Sequence, residues 1–194
     1  MTKDSLRKLY RGKRKALSEE VYKHTNQMLA DRFIAEVDLA NVSTLHTFLP
    51  NYKAREPDTW LIIHHLWQYH PHIQIVVPRV NPGDLTMDCL LLSSHTTFAE
   101  NRYGIYEPEG DAYVDPETID IVLTPLLAFD LQGYRVGYGK GYYDRFFVNC
   151  KKKISRTGLS FFEPVSCISD TDPYDIPLSQ AITPSQQYCF YSDN

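Results

Sequence analysis

A chain of 194 residues with 43% hydrophobic residues, 23% charged residues and a net charge of -4 has the length of one domain with a sizeable core, and its composition excludes a disordered chain. No apolar run approaches the ~18 residues needed to span a bilayer, and the basic N-terminus "MTKDSLRKLYRGKRKAL" lacks the apolar stretch of a signal peptide, so a cytoplasmic protein without membrane partners is expected. Cys89, Cys150, Cys167 and Cys189 lie far apart with no C-x-x-C pair, which argues against a zinc site or a disulfide framework and predicts reduced, mostly buried thiols.

The first element is a helix over 4–17, with Leu6, Leu9, Tyr10, Ala16 and Leu17 near helical spacing; a second follows over 19–37, announced by Ser18 as cap with Glu19 and Glu20 in its first turn. "VSTLHTFLP" (42–50) is predicted as a strand, and "PDTWLIIHHLWQYH" (57–70) opens on proline as a helix does. "IQIVVPRV" (73–80) and "LTMDCLLL" (85–92) are strands, "IDIVLTPLLAFD" (119–130) a buried strand running into a loop, "YYDRFFVNCKKK" (142–153) a helix and "SRTGLSF" (155–161) a short strand. Strands alternating with helices, several of them apolar on both faces, predict an α/β fold whose mostly parallel sheet carries helices on its sides. In such folds ligands gather at the carboxyl ends of strands.

"RVGYGKGYYDR" (135–145) lies in such a place, after a strand and before a helix. Gly137, Gly139 and Gly141 alternate, as a backbone needs where it takes φ > 0 or lets a ligand approach closely. It is not a Walker loop, because Lys140 is followed by Gly141 rather than Ser or Thr, and its G-x-G-x-G spacing is not the dinucleotide fingerprint. Exposed N–H groups in such a turn still make a positive nest for phosphate oxygens, to which Arg135 and Lys140 add full charges. Asp144 then sits where it can hold a Mg2+ that bridges phosphates, although an acid in a first helical turn also serves the helix dipole.

Lys3, Arg7, Arg11 and Arg14 recur at spacings of four, four and three and form one cationic stripe on the first helix. Such a stripe serves as a solvated face, a phosphate-binding arm or a nucleic-acid arm; the acidic overall balance argues against nucleic acid. His64, His65, His70 and His72 lack H-E-x-x-H spacing or a cysteine partner, and no metal is expected there. Tyr103, Tyr106 and Tyr113 either pack the core or flank a ligand ring.

"YRVGYGKGYYDRF" closely resembles the G-x-G-x-G-Y-Y-D-R signature of 5-formyltetrahydrofolate cyclo-ligases, also called methenyltetrahydrofolate synthetases. The resemblance extends in order along the chain: "KDSLRKLYRGKRKALS" is similar to the family's opening basic helix, "FLPNYKAREPDT" to its first strand and loop, "GIYEP" to its central turn and "DIPLSQAIT" to its C-terminal segment. It implies one cyclo-ligase domain over 1–194 with a three-layer α/β/α fold of the sugar-phosphate isomerase and CoA-transferase type. The implied reaction closes 5-formyltetrahydrofolate to 5,10-methenyltetrahydrofolate at the expense of ATP, with Mg2+, through an N5-iminium phosphate.

By the same resemblance, Lys3, Arg7 and the loop residues Arg135, Gly137, Gly139, Lys140, Gly141, Tyr142 and Tyr143 bind the nucleotide, with Arg135 and Lys140 as catalytic charge stabilisers. Glu56, Tyr138, Gly139, Lys140, Gly141 and Tyr142 bind the folate, Glu56 by accepting paired hydrogen bonds from the pterin edge. Asp144 and Asp175 match the Mg2+ ligands. Two departures stand out: Tyr138 occupies a position where many relatives carry a cation or another residue, and the loop before Glu56 is basic, Lys53 and Arg55 being suited to attract the glutamate tail of a folate. A small-molecule enzyme, monomeric, is the expectation. A different ATP-dependent ligase or phosphotransferase on the same scaffold, or a phosphate- or nucleic-acid-binding module, remains the alternative.

Overall fold

The computed structural model describes residues 1–100, 106–151 and 153–190. Two helices open the chain, α1 (Lys3–Lys15) and α2 (Glu19–Glu36). The Thr2 hydroxyl caps α1 by accepting from the Ser5 amide, and three cations, Lys13, Arg14 and Lys15, close its last turn, where the helix dipole favours them. Ser18 caps α2 through the Val21 amide at 3.2 Å.

Then come β1 (Thr44–His46), α3 (Trp60–Tyr69), β2 (Gln74–Asn81) and β3 (Thr86–Leu92), followed by a small hairpin of β4 (Phe98–Glu100) and β5 (Tyr106–Pro108). The second half contains β6 (Ile121–Pro125), the two-residue pair β7 (Ala128–Phe129) and β8 (Arg135–Val136), α4 (Tyr142–Val148), β9 (Ser155–Leu159), β10 (Gln180–Ile182) and β11 (Gln187–Cys189). The main sheet runs β11-β10-β9-β6-β1-β2-β3. Its five inner strands are parallel and both edge strands are antiparallel.

Alternation along the parallel strands builds three layers. Leu45, Ile75, Val77, Ile121 and Leu123 face one side and pack with Leu29, Phe33, Ile63 and Leu66 of α2 and α3. On the other side Val76 and Val122 meet Phe146 and Phe147 of α4. A third cluster joins Leu6 and Tyr10 of α1 to Leu127, Ala128 and Val136, so α1 lies over the β7–β8 pair that leads into the glycine loop.

Several expected elements are shorter than their sequence patterns. The first strand ends at His46 because Thr47–Pro50 leaves the sheet toward a 3-10 turn at Tyr52–Ala54, although the Thr47 amide still bonds the Val76 carbonyl at 2.8 Å. The fourth helix ends at Val148 rather than 153: the chain must return to enter β9 beside β6, and Lys151 reaches Asp120 at 2.5 Å instead of extending the helix. The expectation of mostly buried thiols holds only in part, since Cys89 is buried and Cys150 half-buried but Cys167 and Cys189, in a loop and an edge strand, are exposed.

His46, in the middle of the sheet, is fully buried, and neither ring nitrogen has a partner among the described residues. Its ring stacks against Phe146 at 4.9 Å and meets Tyr143 edge-on at 6.0 Å. Burial pushes its pKa down to about 3, so the folded protein keeps the imidazole neutral. The unfolded chain binds a proton below about 6.5 and the folded chain resists it, so this contribution to stability is complete above that pH and is lost as pH falls from there toward the folded value, by about 1.4 kcal/mol per unit. Relative to His46→Phe, the wild type is expected to lose roughly 2 kcal/mol of unfolding free energy between pH 7 and pH 5. Urea denaturation at both pH values tests this, and parallel losses in the two proteins would show that His46 is not the titrating group.

Candidate functional site

In the parallel sheet, β1 has β2 on one side and β6 on the other, so the strand order reverses at β1, the point where such sheets form a ligand crevice beyond the carboxyl ends of their strands. Four segments converge there: the stripe of α1, the 47–56 loop after β1, Leu126 after β6, and the glycine loop. The loop is aimed by Asp130, fully buried, whose Oδ1 accepts from the Gln132 and Tyr134 amides at 3.0 Å each and whose Oδ2 accepts from the Ile168 amide at 3.0 Å.

Within the loop, Gly139 (φ +92°) and Gly141 (φ +67°) take left-handed backbone, whereas Gly137 does not. A side chain at Gly139 would press on Arg7, whose Cζ stands 3.3 Å from where a Cβ would be. Gly141 caps α4, a helix of only 7 residues, so cations rather than a long helix dipole dominate the local field.

The sequence-predicted cations and carboxylates come together in alternation. Lys3 pairs with Asp175, and the Lys3 amide donates to Asp170 at 2.6 Å. The Arg7 Nε donates to the Gly137 carbonyl at 3.1 Å while its Nη1 pairs with Asp4. Arg135, with a side chain only 7% exposed, donates through Nη2 to Asp144 Oδ1 at 2.7 Å, through Nη1 to the Ile176 carbonyl, and lies 5.1 Å from the Phe147 ring centroid. Burial lowers the Arg135 pKa, and the neighbouring Asp144 charge opposes that shift. Lys140 is exposed, and among the described residues no acid pairs with it.

Asp144 Oδ1 also accepts from the Ile176 amide at 3.1 Å, which places the Asp175 backbone next to it. Asp175 Oδ2 takes Lys3 and the Asp172 amide. Asp144 Oδ2 and Asp175 Oδ1 are left without a hydrogen-bond partner among the described residues. No group of three His, Cys, Asp or Glu side chains able to hold a metal occurs among the described residues. Two carboxylates with one uncommitted oxygen each are the hard oxygen donors that Mg2+ would take.

Glu56 belongs to the same crevice. It is 7% exposed, and its Oε2 accepts from the Asn51 amide at 2.8 Å. Burial raises its pKa above the usual carboxylate range, while the Tyr138 hydroxyl, the Asn51 amide and the Arg14 charge pull it back. It stands not at the start of α3, which begins at Trp60, but in the loop before it, and so offers a ligand acceptor rather than a helix cap.

Arg14 carries more weight here than a place in the cationic stripe suggested. It is 2% exposed, donates from Nη2 to the Leu126 carbonyl and from Nη1 to the Tyr138 hydroxyl at 3.0 Å, and its Nε has no partner among the described residues. Its signal in the sequence was the position itself, one helical turn beyond Tyr10 on the apolar side of α1. The loop tyrosines divide. Tyr142 lies beside Arg145, whose Cζ is 5.8 Å from its ring centroid. Tyr143 turns its ring into the core beside His46 and Phe147 with its hydroxyl enclosed, so only its backbone faces the crevice.

The remaining aromatic and histidine candidates lie elsewhere. Tyr106 and Tyr113 are 61% and 57% exposed, so neither packs the core, and Tyr113 engages Arg79; Tyr103 lies outside the described residues. His64 sits between Trp60 and Trp67, with ring centroids at 5.6 and 5.7 Å, and His65 stacks on Tyr69 at 4.7 Å.

A family model described as the 5-formyltetrahydrofolate cyclo-ligase family matches residues 1–184. Among characterised relatives, the 5-formyltetrahydrofolate cyclo-ligase of Escherichia coli strain K12 is 29% identical over 184 residues, spanning 92% of this chain and 98% of that one. Among solved structures, the 5,10-methenyltetrahydrofolate synthetase of Aquifex aeolicus, determined by NMR, superposes with a TM-score of 0.83 at 25% identity, over 100% of this chain and 95% of the other. The 5,10-methenyltetrahydrofolate synthetase of Mycoplasma pneumoniae gives a TM-score of 0.74 at 25% identity, over 94% and 98% of the two chains.

The enclosed Arg135–Asp144 pair makes a stability prediction. Asp144→Asn leaves a buried guanidinium without its counter-charge and should cost about 3 kcal/mol of unfolding free energy, whereas Arg135→Met combined with Asp144→Asn should recover part of that loss. A loss in the double variant equal to the sum of the Asp144→Asn and Arg135→Met losses, measured by urea denaturation, would show that the two side chains do not depend on each other.

Proposed function

Because the chain belongs to the 5-formyltetrahydrofolate cyclo-ligase family, we propose that it converts 5-formyltetrahydrofolate and ATP to 5,10-methenyltetrahydrofolate, ADP and phosphate. The observation that carries this reading is the meeting, at the strand-order reversal, of a phosphate-type crevice (Lys3, Arg7, Arg135, Lys140, Asp144, Asp175) with a buried acceptor, Glu56, held by the Asn51 amide in the loop after β1.

In this reading the formyl oxygen attacks the γ-phosphorus and ADP leaves, giving the N5-iminium phosphate. N10 then adds to the activated carbon, loses its proton, and phosphate departs. The protein has to align the formyl oxygen with the phosphorus and stabilise charge on the transferring group. Lys140, exposed and without an acidic partner, is the mobile cation that follows the γ-phosphoryl oxygens; Arg135, held by Asp144 and the Ile176 carbonyl, is the fixed one. Lys3 and Arg7 reach the nucleotide phosphates from α1, and the amides of Gly137, Gly139, Gly141, Tyr142 and Tyr143 line the loop around them. Asp144 and Asp175 would hold Mg2+, which would supply neutralisation of phosphate charge. Glu56 receives the amino-pyrimidine edge of the pterin, and Tyr138 and Tyr142 flank it.

A nucleic-acid role for α1 finds less support, since Lys3, Arg7 and Arg14 are each directed onto this protein's own groups rather than outward. A monomeric cytoplasmic enzyme of one domain over 1–194 completes the reading. The free cysteines fit a reducing compartment, and no helix among the described residues is long and apolar enough to cross a membrane.

The direct test mixes the purified protein with 5-formyltetrahydrofolate and MgATP and follows the near-ultraviolet band of the methenyl product. Product formation is expected to require both ATP and Mg2+, and Lys140→Ala to lower kcat by roughly 100-fold. A folded protein that forms no product would overturn the folate assignment. Lys3→Ala with Arg7→Ala should raise KM for ATP, and Glu56→Gln should weaken folate binding far more than ATP binding; equal effects of Glu56→Gln on both ligands would assign Glu56 a structural role instead.

A further inference from the structure

Arg55, directly before Glu56, is one of two residues other than glycine with left-handed backbone among the described residues, at φ +46° and ψ +51°. An L side chain there crowds the neighbouring main chain, so the conformation persists only where contacts hold it. The Arg55 amide closes the 3-10 turn by donating to the Tyr52 carbonyl at 3.0 Å. The left-handed step then returns Glu56 to the start of that turn: its amide donates to the Asn51 carbonyl at 3.2 Å, and its Oε2 accepts from the Asn51 amide at 2.8 Å.

The contacts that hold this step come from one face of α2, where Glu19, Tyr22 and Asn26 recur at spacings of three and four. They meet the loop in chain order. Arg55 lies over the Tyr22 ring, its Cζ 5.1 Å from the centroid, and pairs with Glu19 at 3.3 Å. The Tyr22 hydroxyl donates to the Glu56 carbonyl at 2.6 Å, and Asn26 Oδ1 accepts from the Asp58 amide at 2.7 Å. The guanidinium of Arg55 is thus directed onto α2. A pair with the largely exposed Glu19 is weak in water, so packing on Tyr22 carries most of the hold.

We propose that Arg55 is a positioning residue for Glu56: packed on α2, it holds the left-handed turn that keeps the Glu56 carboxylate against the Asn51 amide and ready for a ligand. The proposal rests on the reading in which Glu56 receives the pterin. Without the Arg55 side chain, another residue with a Cβ leaves the left-handed region, the return to Asn51 opens and the acceptor is displaced. Glycine adopts that region freely and keeps the turn with no anchor at all. A guanidinium that served instead to attract the glutamate tail of a folate would be missed equally in both variants.

The test is calorimetry on the wild type, Arg55→Ala and Arg55→Gly, with 5-formyltetrahydrofolate in mono- and triglutamate forms and, separately, with a non-hydrolysable ATP analogue and Mg2+. Arg55→Ala is expected to weaken the folate about tenfold, by the same factor for both tail lengths, and to leave the analogue unchanged, which also shows the variant to be folded. Arg55→Gly should recover most of that loss. A glycine variant as weak as the alanine one, or a loss that grows with the number of glutamates, would make Arg55 a charge for the ligand and overturn the positioning role. So would an alanine variant that binds the folate as the wild type does, or one that loses both ligands alike. A wild type that binds the analogue but not 5-formyltetrahydrofolate overturns the substrate reading and this role with it.

Discussion

A guanidinium shut inside the protein holds the crevice together. Arg14, 2% exposed, ties the last turn of α1 to the carbonyl that follows β6 and to the hydroxyl of Tyr138. Removing a cation from water is costly unless donors find acceptors and a negative charge lies near, and here Leu126, Tyr138 and Glu56 meet that demand from three segments. None of the three makes sense alone. A buried Glu56 without Arg14 would keep the Asn51 amide but lose a neighbouring positive charge, and α1 without Arg14 would lose the bond from its last turn to the carbonyl after β6.

The same economy governs the phosphate side. Lys3, Arg7 and Arg135 are cations whose mutual repulsion would spread them apart, and each is restrained by an acid, Asp175, Asp4 or Asp144. The acids keep the cations close in the absence of substrate, and Asp144 and Asp175 retain one unengaged oxygen each. Asp130 performs the equivalent service for the main chain. Its buried carboxylate takes amides on both sides of the turn and from the 168 segment, which fixes the direction in which the glycine loop leaves β8.

Much of this was legible in the chain. α1 and α2 follow their caps and apolar spacing, and the β-branched runs at 73–80 and 119–127 became β2 and β6. The short strands escaped. β10 and β11, three residues each, carry too few positions for a period to show and exist because β9 presents an edge for β10 to pair with. Tyr143 was grouped with the ligand-facing loop, yet its ring turns inward because α4 packs on the Val76 and Val122 face and Tyr143 falls on the buried side of that helix.

By itself the sequence determined the local chemistry: which segments are helical or extended, which residue types crowd residues 135–145, and the family to which so long a run of motifs belongs, because these depend on neighbours within a few positions. Only the tertiary structure decided which charges meet. Lys3 with Asp175, Arg14 with Leu126 and Tyr138, and Glu56 beside Tyr138 join positions more than eighty residues apart. Such pairings carry no periodic signal, since they follow from the reversal of strand order at β1, which brings the ends of distant strands into one crevice.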